Sequence, residues 1–275
     1  MKLGFCVLRV TPDKLTPLLD FYTRLGFALG EGGGLVLPWA SASCGLRFLP
    51  DAKVRYQSSR TDLYWKIGLA VHDVQEASRQ LPGCQPGEQF LDIGFLTHYR
   101  DPAGFCFELL QTTFEGSEAE RKELKSRPRT GAGPMGDFVM GQITTRITEP
   151  ERSLRFYREL GMKLLSIQPV TKYGFTLYFF AFTEENPPKE DLEAVENREW
   201  LYQRPYTTLE LQHYHGSEGS KLRLPPPEEE GLAAVVLQVP PDALRRLSAW
   251  PGYVELLPGV GQLMDPDGLP IQLET

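Results

Sequence analysis

The chain repeats itself, and this restricts its fold more than any other feature. Residues 5–29, FCVLRVTPDKLTPLLDFYTRLGFAL, align with residues 142–165, QITTRITEPERSLRFYRELGMKLL. Arg9 then falls on Arg146, Phe21-Tyr22 on Phe156-Tyr157, and Leu25-Gly26 on Leu160-Gly161. A second pair behaves in the same way. WKIGLAV (65–71) followed by RDPAGFCFELL (100–110) aligns with AAVVLQV (233–239) followed by MDPDGLPIQLE (264–274). Repetition on this scale indicates a supersecondary unit used several times. The chain reads as four related modules in two halves.

Each module opens with a short run rich in Val, Ile, Leu or Thr, which predicts a strand. In modules one and three an amphipathic helix follows, as in EPERSLRFYREL, where Leu154, Phe156-Tyr157 and Leu160 recur at helical spacing. Gly26 and Gly161 stop these helices. Further strands close each module, and in modules two and four they meet at DPAG or DPDG turns, where Pro presets one φ and Gly tolerates the unusual one. Residues 1–112 are read as an N-terminal two-module domain, 113–136 as a charged, then Gly- and Pro-rich linker, and 137–275 as a C-terminal two-module domain.

Composition narrows the ligand. A net charge of -7 and a pI near 5.3 argue against a nucleic-acid partner, which favours a basic stripe. No apolar run approaches the ~20 residues that cross a bilayer, so no membrane partner is expected. The N-terminus lacks a sustained apolar segment with a cleavage site, and Cys6, Cys44, Cys84 and Cys106 show no CxxC spacing. Free thiols in a reducing, cytoplasmic setting and a small-molecule ligand are the expectation.

The run of strand, SLRFYRELGMKLL, FTLYFFAFTEEN, REWLYQRPYTTLELQHYHG and DPDG resembles glyoxalase I (lactoylglutathione lyase), of the vicinal oxygen chelate superfamily. The likeness is strongest over 138–275, and the N-terminal half carries DFYTRLGF and RDPAGFCFELL in shorter form. It implies an α+β fold in which four βαβββ modules form two vicinal oxygen chelate (glyoxalase/bleomycin-resistance-like) domains, as in fused two-domain glyoxalases. It also implies a cup between two modules that holds a divalent metal (Zn, Ni, Mg or Mn). The metal takes one ligand from each module's first strand and a glutamate from a later strand. A glutamate moves the substrate proton.

Carried onto this chain, the ligand positions are Gln142 and Glu210 in module three, and Lys66 and Glu108 in module two. Module four offers Ala234 and Gln272, and module one Phe5 and Arg47. If modules three and four pair, Gln142 and Glu210 stand alone and a stable catalytic metal is not expected. If three pairs with two, as glyoxalase dimers pair across subunits, the site gathers Gln142, Glu210, Glu108 and Lys66. A protonated lysine has no lone pair. Either Lys66 bridges the two glutamates without a metal, or Gln142, Glu210, Glu108 and water form an all-oxygen set suited to Mg or Mn.

The expected roles follow from these positions. Glu108 is the proton-moving base, while Gln142, Glu210 and Glu108 are the metal ligands. Arg146, Lys66, Gln212, Tyr214 and His98 are the substrate-binding set. Arg146 falls where the family keeps an arginine for a glutathione carboxylate. Tyr214 replaces an expected asparagine, and Glu230 and Asp62 stand where a second arginine is expected. Strand alternation puts Glu210, Gln212 and Tyr214 on one face and His213 and His215 on the other. The resulting expectation is a glyoxalase I-like monomer with pseudo-dimeric halves, binding a small oxygenated or thiol-adduct ligand, such as a glutathione adduct, with metal-assisted proton transfer. The alternative is a metal-free, non-catalytic small-molecule binding or sequestering protein with Lys66 in the place of the metal.

Overall fold

The computed structural model describes residues 1–30, 33–114 and 135–275. Module one contains β1 (Lys2–Arg9), α1 (Pro12–Leu25), β2 (Ala28–Leu29), β3 (Leu35–Val36) and β4 (Gly45–Leu49). Module two contains β5 (Tyr64–Val71), α2 (Val74–Arg79), β6 (Glu88–Phe90), β7 (Gly94–Arg100) and β8 (Cys106–Gln111). Module three contains β9 (Val139–Ile147), α3 (Pro150–Leu160), β10 (Lys163–Val170), β11 (Phe175–Ala181), α4 (Val195–Tyr202) and β12 (Thr208–Tyr214). Module four contains β13 (Gly231–Gln238), α5 (Pro241–Leu247), β14 (Val254–Leu257), β15 (Val260–Met264) and β16 (Pro270–Glu274). The expected linker, 113–136, lies almost wholly outside the described residues.

Local chemistry sets the repeated helices. Pro12 and Pro150 occupy the first turn, where a missing N–H leaves nothing unpaired. Gly26 (φ 117°) and Gly161 (φ 101°) close α1 and α3 in the left-handed conformation, which a Cβ would disfavour. Tyr22 and Tyr157, the second aromatics of the aligned Phe-Tyr pairs, are buried on the inner faces of these helices.

The strands form two eight-stranded curled sheets, ordered β14-β15-β16-β13-β1-β4-β3-β2 and β10-β11-β12-β9-β5-β8-β7-β6. The modules therefore pair across the halves, one with four and two with three. The seams are antiparallel: β1 lies against β13, with Phe5 opposite Val236, and β5 lies against β9, with Gly68 opposite Gln142. The sequence left this partner choice open.

Each half is also tied across the two sheets. The Tyr22 hydroxyl donates to Asp101 of the DPAG turn (3.1 Å), and Tyr157 donates to Asp265 of the DPDG turn (2.8 Å). Burial pushes both aspartates up to about 6. One contiguous core draws on both sheets, including Leu8, Tyr22, Leu69, Phe107, Tyr157 and Leu237. Among the described residues no helix is long and apolar enough to cross a membrane.

Candidate active site

The second sheet curls around a cavity of about 280 Å³. Its polar floor comes from the seam strands and their neighbours: Lys66 on β5, Glu108 on β8, Gln142 on β9 and Glu210 on β12, all buried. Cross-half pairing thus brings together the four residues that the sequence placed at ligand positions in modules two and three. Gly68 makes the arrangement possible, because a Cβ there would collide with the Gln142 side chain lying over it.

Lys66 Nζ donates to Glu108 Oε1 at 2.7 Å and stands 4.3 Å from the centre of the Trp65 ring. Gln142 Nε2 donates to Glu108 Oε2 at 2.9 Å, and His98 Nε2 lies 3.2 Å from Glu108 Oε1. Both oxygens of Glu108 are therefore engaged. Burial works to raise this carboxyl, but Lys66 and His98 together outweigh it and hold Glu108 below the usual carboxylate range. Burial likewise works to lower Lys66, and the fields of Glu108 and Glu210 outweigh it, so the ammonium stays charged.

Glu210 differs from Glu108. Its Oε2 accepts from the Thr144 hydroxyl at 3.1 Å, while its Oε1 is buried without a hydrogen-bond partner. Burial first, and then the charge of Glu108, raises Glu210 to about 7. Two carboxyl groups in one pocket are pushed apart by their surroundings, one pinned as an anion and one able to take or give a proton near neutrality.

The cavity walls are apolar and aromatic, with Leu96, Leu110, Phe175, Leu177, Phe179 and Tyr202 among the lining side chains. At the mouth Phe90 of β6 stacks on Tyr173 (centroids 5.4 Å apart, planes 16° apart). This pair spans from module two to module three, clasping the two ends of the curled sheet. Trp65 and Lys66, though adjacent in the chain, both line the cavity, with a register shift between Tyr64 and Lys66 where β5 meets β9.

No family model matches the chain. It is 39% identical over 85 residues to lactoylglutathione lyase of Pseudomonas aeruginosa, a match covering 30% of this chain and 46% of that protein. It is 38% identical over 82 residues to glyoxalase I of Saccharomyces cerevisiae, covering 30% of this chain and 24% of that protein. The chain thus spans less than half the length of these curated relatives. The crystal structure of glyoxalase I from Zea mays superposes with a TM-score of 0.64 at 18% identity, over 99% of this chain and 91% of that one. The chain has the fold of glyoxalase I, and about a third of it is similar in sequence to lactoylglutathione lyases.

Glyoxalase I relatives are generally metal-dependent, so the donor chemistry of this glyoxalase I-like cup must be tested against a divalent ion. It does not fit one. Of the four side chains at ligand positions, Lys66 offers an ammonium without a lone pair, and Glu108 already accepts from Lys66 and Gln142. Among the described residues no three His, Cys, Asp or Glu side chains converge as a metal site. The Lys66 ammonium instead supplies the positive charge that Glu108 meets.

The other cup of the glyoxalase I-like fold is filled. Phe5 packs with Val7, Ala234 and Val236, and lies against Gly34 and Gly45, where a Cβ would collide with its ring. The Arg47 guanidinium stands 4.4 Å from the Phe5 ring centre and grips Glu274 through both oxygens, at 2.7 and 3.2 Å.

The remaining sequence-predicted residues divide. His98 and Tyr214 line the cavity. Arg146 is buried, and its Nη1 donates to the backbone carbonyls of Ser59, Asp62 and Tyr64. Gln212 is fully buried with neither amide atom hydrogen-bonded. Glu230 accepts from Thr11 and the Tyr56 amide, and Asp62 from Arg223, so both are occupied structurally. His213 lies by Glu218 and His215 by Thr176; neither lines the cavity. Sequence reasoning missed Trp65, Thr144 and the Phe90–Tyr173 clasp. Thr144 could have been found by strand parity, since it lies between Gln142 and Arg146 on the same face.

Proposed function

We propose that this protein catalyses proton transfer next to a carbonyl group in a small oxygenated molecule, with the Lys66 ammonium serving as the resident cation. The observation that carries the reading is the unpartnered Glu210 Oε1, buried beside the Lys66–Glu108 pair in a closed-floored cavity. Glu210 is the base. Its free oxygen removes a proton from the carbon bearing the hydroxyl of an α-hydroxycarbonyl compound. The electron pair moves onto the carbonyl oxygen, giving an enediolate whose charge the Lys66 ammonium stabilises by hydrogen bonding. The hydroxyl proton passes to the former carbonyl oxygen. Return of the abstracted proton to the neighbouring carbon, with the new carbonyl forming at the old hydroxyl oxygen, completes an isomerisation without net gain or loss of atoms. Glu108 holds Lys66 in place and Gln142 holds Glu108, while Thr144 orients Glu210. This assigns the base to Glu210 instead of Glu108, because the oxygens of Glu108 are already engaged.

Deuterium exchange from D2O into the α-carbon tests the reading. A panel of α-hydroxycarbonyl compounds, with the methylglyoxal–glutathione hemithioacetal included, is followed by proton NMR in the presence of a chelator. Exchange with at least one compound is expected, falling roughly a hundredfold or more in Glu210→Gln. Exchange that is unchanged in Glu210→Gln, or absent in wild type across the panel, would remove the proposal.

A further inference from the structure

Resting on that reading, we infer that the cavity takes a free, neutral molecule with an aromatic or bulky apolar body and a single α-hydroxycarbonyl head, not a glutathione adduct. Size is the first argument. An engineered cavity of about 150 Å³ binds benzene, with six non-hydrogen atoms. By proportion, about 280 Å³ accommodates roughly eleven non-hydrogen atoms, so more than half of a glutathione hemithioacetal would lie outside it.

Wall chemistry is the second argument. Leu110, Phe175, Leu177 and Phe179 line the space with the polar floor, and the stacked Phe90–Tyr173 pair adds two more aromatic faces to the lining. Aromatic and apolar walls of this kind reward a planar apolar body. A small polar molecule would leave them wet.

Charge is the third argument. Lys66 faces two carboxyl groups, so Lys66, Glu108 and Glu210 together hold no surplus positive charge for an anionic head. A peptide adduct also needs anchors for its carboxylates. Arg146 is not among the residues that line the cavity, and its Nη1 donates to three backbone carbonyls. Lys66 and Arg60 are the cationic side chains among the residues that line the cavity. Arg60 at the rim is exposed, and solvent screens it.

Binding, read by calorimetry on the full chain, decides the matter independently of catalysis. The probes are 2-hydroxyacetophenone, hydroxyacetone, benzoylformate and S-benzylglutathione. The expected result is that 2-hydroxyacetophenone binds at least tenfold tighter than hydroxyacetone, which lacks the ring, and than benzoylformate, which carries a carboxylate. S-benzylglutathione is expected to bind more weakly still. Tyr173→Ala, at a half-exposed site where melting is expected to be unchanged, weakens 2-hydroxyacetophenone binding several-fold. Tightest binding by S-benzylglutathione, by benzoylformate or by hydroxyacetone would overturn the inference. Tight binding of 2-hydroxyacetophenone without deuterium exchange supports the ligand class and removes the proton-transfer reading. Exchange confined to the hemithioacetal does the reverse.

Discussion

Lys66 is the residue on which the chemistry of the cup turns. It is buried together with Glu108 and within the field of Glu210, so each charge depends on the others. Lys66→Ala leaves Glu108 uncompensated in a low-dielectric site, and a loss of roughly 3–5 kcal/mol in unfolding free energy is expected. Urea denaturation at pH 7 measures it, and a loss below ~1 kcal/mol would mean that the ammonium is not what holds the carboxylates. Glu210 gives a separate signature in pH. Its folded value is raised from 4.5 to about 7, by burial first and then by Glu108. The stability it contributes is therefore complete below its unfolded value and lost as pH rises through about 7. Asp101 and Asp265, raised to about 6, act in the same direction. Glu210→Gln removes only the first contribution, so its stability relative to wild type should grow from pH 5 to pH 8 in denaturant titrations. A constant difference across that range would contradict the raised value. The floor residues were legible because the resemblance to glyoxalase I marked the ligand positions and alignment of the repeats carried them from module to module. Trp65 was not, because adjacent strand residues normally face opposite ways and nothing in WKIGLAV announces the register shift.

At the scale of elements, the repeated helix and the repeated turn are two ends of one contact. Tyr22 of α1 reaches Asp101, and Tyr157 of α3 reaches Asp265, so each Phe-Tyr and each DPxG motif is explained by the other. Tyr157→Phe should lower unfolding free energy by roughly 1–3 kcal/mol, the range for a buried hydrogen bond to a charged group. Chemical denaturation reads this directly, with Tyr22→Phe as the internal repeat of the experiment. An effect near zero at both positions would mean that the bond only replaces one made to water. The sequence carried both motifs plainly, but not their contact, since helix and turn are separated by a whole module. Strand parity was the more reliable guide. It placed Glu210, Gln212 and Tyr214 toward the cup and His213 and His215 away from it; Glu210 and Tyr214 line the cavity, Gln212 is buried outside its lining, and neither histidine lines it. What parity could not reveal was the strand beside which each opening strand would lie.

At the scale of the molecule, that choice of neighbour makes the two halves interdependent. Neither residues 1–114 nor 135–275 alone contains both walls of the Lys66 cavity, because β5 and β8 come from the first and β9 and β12 from the second. Co-expressed, the two pieces should purify together and recover ligand binding, while either piece alone should not bind; calorimetry on each preparation checks this. Binding by residues 135–275 alone would show that the cavity needs only one half. The sequence gives four modules, but the closed order of pairing emerges only when the whole chain is present. That order also sets a timetable. β1 finds β4 early in synthesis, yet its other edge is completed by β13, with Lys2 opposite Gln238. At roughly 5–20 residues per second, a ribosome needs roughly 10–40 s to travel from the end of β4 to the end of β13. Through that interval a long apolar strand edge stands bare, and a bare edge recruits whichever strand comes first. The yield of native protein in a cell is therefore set by a race between the arriving C-terminal half and every other nascent chain nearby, which chaperone capacity and translation speed will shift.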